Sequence, residues 1–288
     1  MNRRARCSEV RERFVRQGDD RRKSILALGL LLGLLTSLPT AAHYLRLAET
    51  LVEPDHFTVG IALTGRPFAY REDGQVHGFE LAMASAVADA HGLELKVVQL
   101  PRAALLDALL QGEVDAVNTP ALPAESNGVT TIPYLRVGDH VMVLKGNPFR
   151  VHGAKDLSGR TVAATTGSTA ESYAANINKQ LIADGHDPMN VHSFPYQRDA
   201  HFPVSMGHAA AYFIQTVSAV GITQDAESRT RLVEGMFQPS REVGFAVAAR
   251  NDDIFHAVEH AIAAMVATGK YERIRKQYDL PAELSPFR

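Results

Sequence analysis

The residues with the clearest chemical potential lie in "TVAATTGSTAESY", Thr161 to Tyr173. A strand-like run meets a helix-like run there, and Thr166, Gly167, Ser168 and Thr169 fill the junction. A helix start presents free backbone N–H groups and partial positive charge, and hydroxyls beside it add donors. Such a turn suits a carboxylate or another small anion. A purely local role competes. Ser168-Thr169-Ala170-Glu171 fits the S-x-x-E capping box, in which Ser168 caps the helix and Glu171 reaches back to the N–H of Ser168. A phosphate-cradling loop is not indicated, because no Gly-Lys-Ser/Thr follows.

Other reactive patterns are thinner. "HAVEH" places His256 and His260 four apart on one helix face with Glu259 between them, the inverted zinc motif H-x-x-E-H. Three fixed residues without a metallopeptidase context read better as solvated or capping histidines, so no metal and no cofactor are expected. His192, His201 and His208 share one stretch at no recognised zinc spacing. Asp252 and Asp253 precede the last long helical run and suit its positive N-terminus. Tyr70 and Tyr212 either line a cleft or pack. Phe255, Val258, Ile262 and Met265 form an apolar helix side, read as core.

The elements that would position these residues alternate. "HFTVGIAL" reads as a first strand, "REDGQVHGF" as a hairpin or turn, and Glu80 to Ala90 as a helix. "LELKVVQL" is a strand, "RAALLDALLQG" a short helix stopped by Gly112, and "EVDAVNT" a strand. The pattern then repeats: "HVMVLKG" and "RTVAATTG" as strands, Ser168 to Leu181 as a helix, "NVHSF" as a strand, and "FPVSMGHAAAYFI" as a helix running into a strand. "REVGFAVAA" is a last strand, and Asp252 to Tyr278 make one or two helices. This alternation predicts an α/β fold with largely parallel sheets in two blocks, divided near residue 139. Clefts between lobes are where ligands usually sit.

The first residues need separate reading. Residues 1–23 carry nine Arg or Lys, and Ser24 to Ala42 carry no charge. Ile25 to Leu38 resembles a signal-peptide core, with Thr40 and Ala42 before a cut at His43. The same 19 residues are just long enough to anchor the chain in a membrane. Either way the remainder is exported. The one cysteine, Cys7, lies in this leader, so the exported part has no thiol or disulfide chemistry. It keeps 21 basic and 28 acidic residues, a balance of −7, which argues against nucleic-acid binding.

Taken in order, "FTVGIAL…RPFAYREDGQVHGFELAMASAVA", "LLQGEVDAV", "PYLRVGDHVMVLKGNP", "DLSGRTVAATTGSTAE" and "VGFAVAARNDDIFHAVEHAIAAMVATGKYERIRKQY" resemble the family 3 periplasmic solute-binding proteins of ABC importers. The resemblance runs over roughly residues 57–280. It implies a two-lobed type II periplasmic-binding-protein fold, each lobe a mainly parallel sheet flanked by helices. Residues 43–138 plus 240–288 would make lobe one and residues 139–239 lobe two. It also implies hinge closure over a small solute, a monomeric protein in the periplasm, and an ABC permease partner in the inner membrane. Residues 24–42 would cleave away or tether it.

Carried over residue by residue, Thr166, Ser168 and Thr169 match the family's anion turn. Phe68 matches the aromatic after its proline, and Thr119 a ligand-touching Ser or Thr. Other positions depart. The family's carboxylate-binding Arg has no counterpart, since no Arg or Lys occurs from Ala103 to Leu135. The family's ammonium-binding Asp falls at Gln215, one cleft aromatic at Gly65, another near Arg102, and a helix Asp at Ala82. Arg66 and Arg102 are new cations near the expected cleft, or else surface arginines. A buried ammonium lacking a carboxylate is costly, so the expectation is a small carboxylate or other anion, or an uncharged polar solute. No catalytic residue is expected. Two alternatives stay open: an envelope-anchored solute sensor or scaffold, and a cyclohexadienyl-dehydratase-like enzyme using Glu171 or Glu125.

Overall fold

A computed structural model describes residues 47, 49–118 and 128–287 of the chain. The leader, with its candidate signal or anchor, lies outside them, as do Thr119 and Glu125. Among the described residues, no helix is long and apolar enough to cross a membrane.

The chain opens with β1 (His56–Ile61), a small hairpin of β2 (Tyr70–Glu72) and β3 (Gln75–His77), and α1 (Phe79–Ala90). Next come β4 (Glu94–Gln99), α2 (Leu105–Gln111), β5 (Ala116–Asn118) and the long β6 (Val129–Leu144). β7 (Thr161–Thr165), α3 (Thr169–Ala183), β8 (Asn190–Phe194), α4 (Gln197–Ser205) and β9 (Ala211–Gln215) follow. The chain closes with α5 (Thr216–Thr223), β10 (Thr230–Leu232), β11 (Gln238–Ala248), α6 (Asp252–Ala267) and α7 (Lys270–Gln277).

The main sheet runs β4-β1-β5-β11-β6-β9-β7-β8, with β10 on β6. β4, β1 and β5 pair in parallel at one end, and β9, β7 and β8 pair in parallel at the other. Antiparallel β11 and β6 join the two ends into one hydrogen-bonded sheet. Their shared ladder extends from Val129 opposite Ala248 to Asp139 opposite Gln238.

The apolar clusters divide in the middle of β6. α1, α6 and α7 cover one face of the first half, where Phe57, Phe79, Tyr134 and Phe245 pack edge to face at 5.0–6.3 Å. α2 covers the other face. In the second half, α3 lies on one face over Val141, Val162 and Phe213, and α4 and α5 lie on the other over Met142 and Tyr212. Each half is therefore a helix–sheet–helix sandwich, the layering that alternating strands and helices demand.

Local chemistry explains the joints. The β2–β3 turn uses Asp73 and Gly74 at φ 49° and 80°, the pair of positive φ values that a tight two-residue hairpin needs. Gly78, at φ 125°, brings Pro67 and Phe68 against α1: the N–H groups of Phe79 and Glu80 donate to their carbonyls at 2.8 and 3.0 Å. A Cβ on Gly78 would run into the Phe68 carbonyl.

Two departures from the pattern reading stand out. β6 takes in "VTTIPYLR" as well as "HVMVL", because Pro133 sits opposite Gly244 at a register irregularity, where its missing N–H costs no ladder bond. The final helical run, read as one or two helices, is two: Gly269, at φ 70°, separates α6 from α7. The stretch 216–237, left unassigned by pattern, holds α5 and β10.

Candidate functional site

The carboxyl ends of the parallel strands of both halves point to one place. A cavity of about 580 Å³ lies there. From the first half it takes Ala62, Leu63 and Thr64 after β1, and Arg102 in a 3-10 turn after β4. From the second half come Thr169 at the start of α3 and Gln215–Ser218 at the β9–α5 junction. The crossing strands supply Val137 and Gly138 on β6 and Ser240 and Arg241 on β11. Strand ends at such a junction are the usual ligand position in α/β sheets.

The turn at Thr166–Thr169 is built as a cap. Ser168 Oγ accepts from Glu171 N–H at 3.1 Å and donates to the Thr165 carbonyl at 2.7 Å. Glu171 reaches one residue further back than the capping box predicts, to Gly167 N–H at 2.7 Å, and also accepts from Ser193. The Ser193 bond and then the Gly167 bond hold the Glu171 carboxyl below its usual range. The Ser168 N–H donates to Thr165 O instead, at 3.1 Å.

Thr169 does face the cavity, but its hydroxyl is committed. It donates to Asp139 Oδ1 at 2.7 Å and accepts from Gln215 Nε2 at 3.0 Å. Asp139 and Gln215 are direct cross-strand partners on β6 and β9. Asp139 is only 3% exposed, and burial pushes its carboxyl up against the pull of the Thr169 bond. A carboxylate thus stands one strand over from the position where the sequence places Gln215.

The first-half wall rests on a buried polar knot. Asn118 accepts from Ala62 N–H at 3.1 Å and donates to Glu80. Thr64, on the cavity surface, donates to Glu80 at 3.4 Å. Burial raises the Glu80 carboxyl to about 7, with the Asn118 and Thr64 bonds opposing. On the crossing, Thr216 Oγ1 accepts from Gly138 N–H at 2.9 Å and bonds the Gly138 carbonyl at 3.0 Å.

Of the residues read from sequence, Arg102, Thr169 and Gln215 come together on the cavity wall. Others do not line it. Phe68 is 2% exposed and belongs to the first-half core, because Gly78 draws its backbone under α1. Arg66 stays on the hairpin, paired with Glu72 at 2.6 Å and stacked 4.0 Å over the Tyr70 ring. Thr166 is exposed at the turn, its N–H held by Phe194 O, and Ser168 is spent as the cap. Tyr212 is buried, with its hydroxyl 2.9 Å from Thr165 Oγ1. His256 is exposed and pairs with Glu259 at 3.3 Å, and no cluster able to hold a metal occurs among the described residues.

Sequence reasoning missed Asp139, Thr216 and Arg241. Only strand register places Asp139 beside Gln215, and only the β6–β11 pairing turns Arg241 toward the cleft. Burial, and then the Arg102 charge, lower the basicity of Arg241, so the two guanidiniums feel each other.

Comparison with known proteins agrees with this architecture. The family model for bacterial extracellular solute-binding proteins, family 3, matches residues 57–281. The chain is similar to the probable amino-acid-binding protein YxeM of Bacillus subtilis, 28% identical over 55% of this chain and 59% of that protein. It is 23% identical to the putative amino-acid ABC transporter-binding protein PatH of Vibrio harveyi, over 75% of this chain and 86% of that one. The L-cystine-binding protein TcyJ of Escherichia coli is also 23% identical, over 76% and 81%. Among solved structures, substrate-binding domain 2 of GlnP from Lactococcus lactis superposes with a TM-score of 0.66 at 20% identity, covering 78% of this chain and 95% of that one. The L-cystine solute receptor of Neisseria gonorrhoeae gives 0.63 at 18%, covering 77% and 92%. Both share the two-lobed fold. The chain belongs to the bacterial extracellular solute-binding proteins, family 3.

Proposed function

We propose that this solute-binding protein works in the periplasm, exported by residues 1–42, and delivers a small polar or anionic solute to an ABC permease. One lobe comprises residues 43–138 plus 240–288, and the other comprises residues 139–239. The observation that carries this reading is the cavity itself, which takes its walls from both halves and from the two strands that cross between them. A solute bridging those walls binds the closed arrangement better and shifts the molecule towards it. The permease then reads the closed shape. The amino-acid and cystine binders among its relatives support an amino-acid-like or carboxylate solute. Binding fits the site better than catalysis, since the Glu171 carboxylate is tied to Gly167 and Ser193 within its own turn and does not line the cavity.

The test is a melting screen over amino acids, dicarboxylates and keto acids, followed by small-angle scattering on any hit. A true ligand at about a hundred times its Kd stabilises by about 2.7 kcal/mol. It should also shrink the radius of gyration without being consumed. A screen with no melting shift, or a verified ligand that leaves the scattering curve unchanged, rules the reading out.

A further inference from the structure

We propose that a second cavity, along α3 in the second half, is a separate binding site for a small organic cation, a primary alkylammonium whose charged head rests on Asp139. The solute-capture reading makes no use of this cavity, so the two stand or fall apart. The cavity holds about 660 Å³. One side of α3 forms its long wall, from Ser172 and Tyr173 to Lys179 and Gln180. Ala154, ahead of β7, and Met236, ahead of β11, help to close it. Among the described lining residues, Thr169 alone is shared with the cleft cavity.

Asp139 is the one acid among those lining residues, and it is only 3% exposed. Thr169 Oγ1 takes one carboxylate oxygen, Oδ1, at 2.7 Å and leaves the other for a guest. A buried carboxylate favours a partner that brings both positive charge and N–H donors. A second acid strengthens the field. Burial, and then the charges of Asp139 and Glu283, push the Tyr173 hydroxyl up, so both carboxylates are felt at the cavity wall. Glu283 itself stands 3.3 Å from His140 Nδ1, which leaves Asp139 as the acid that serves the cavity. The positive start of α3 is already met by Glu171, which accepts from Gly167 N–H.

The rest of the lining shapes the guest. Ile177 and Met236, 3% and 4% exposed, offer apolar surface to an alkyl stem. Lys179 is the one base among the described lining residues. It lies about 15 Å of helix beyond Thr169, clear of a head group seated on Asp139. A metal ion fits less well, because no cluster of three or more His, Cys, Asp or Glu able to hold one occurs among the described residues.

The test titrates the full-length protein calorimetrically with n-hexylammonium against 1-hexanol and hexanoate. The ammonium should bind, and the alcohol and the carboxylate should not. Asp139→Asn keeps an acceptor for Thr169 and should weaken hexylammonium by about tenfold or more. Asn176→Trp fills this cavity from an exposed position on α3 and should abolish binding. Ser240→Trp fills the cleft instead and should leave hexylammonium binding unchanged. Melting of each unliganded variant beside the parent separates lost binding from lost folding, and Ser172→Trp replaces Asn176→Trp if the latter does not fold. No binding of hexylammonium, equal binding of hexanol, or indifference to Asp139→Asn overturns the inference. Binding that survives Asn176→Trp but is lost in Ser240→Trp also overturns it, by placing the amine in the cleft. Each of these failures leaves solute capture standing, which falls only by its own melting and scattering test.

Discussion

Phe68 shows how far a position carried over from a family can mislead. Matched to the family's aromatic after a proline, it is expected in the cleft, yet the ring is sealed into the first-half core. Phe68→Ala should therefore cost about 3–5 kcal/mol of stability in urea unfolding, with ligand affinity nearly unchanged once folded protein is compared. A large affinity loss without destabilisation would return Phe68 to the site. Glu80 makes a second prediction. Its folded pKa of about 7 lies above the ordinary glutamate value of 4.5, so folding favours the protonated form. That contribution is full below about pH 4.5 and is lost as pH rises through about 7, a change of about 3 kcal/mol. Asp115, raised to about 6 by burial, adds in the same direction. Melting temperature should fall from pH 5 to pH 8, and Glu80→Gln should flatten most of that slope. A parent protein equally stable across this range would refute the burial argument. Residue chemistry was legible in sequence where it is local: Ser168 caps α3 as the S-x-x-E spacing says. It was illegible where partners come from another strand, as with Asp139 against Gln215, or where a hydroxyl proton is already given away, as at Thr169.

Elements were read best where a period or a breaker speaks. Alternation gave most of the strands and helices, and Asp73-Gly74 gave the hairpin. β6 was read short, because a proline inside a strand normally argues against it, and only Gly244 opposite makes Pro133 harmless. Glycines test the joints. Gly74→Ala meets no neighbour and should cost about 1 kcal/mol for its positive φ alone. Gly78→Ala adds a collision with the Phe68 carbonyl to the same strain, and should destabilise several-fold more in chemical denaturation. Equal costs at the two positions would mean that the approach of residues 67–68 to α1 is not what holds the joint.

At the scale of the molecule, two halves grow from a single sheet, and β6 and β11 belong to both. The alternation of elements was enough to foresee two α/β blocks. It could not foresee that the blocks share strands, because pairing between β6 and β11 links segments about a hundred residues apart. This shared ladder has a thermodynamic consequence. Neither half can come apart without stripping hydrogen bonds and apolar cover from strands the other half uses, so the halves should lose order together. Calorimetry on the ligand-free protein should give one heat-absorption peak with equal van't Hoff and calorimetric enthalpies. Two resolved peaks would mean the halves melt separately. The crossing would thus make the halves a single cooperative unit, so a ligand gripping either wall protects both from unfolding.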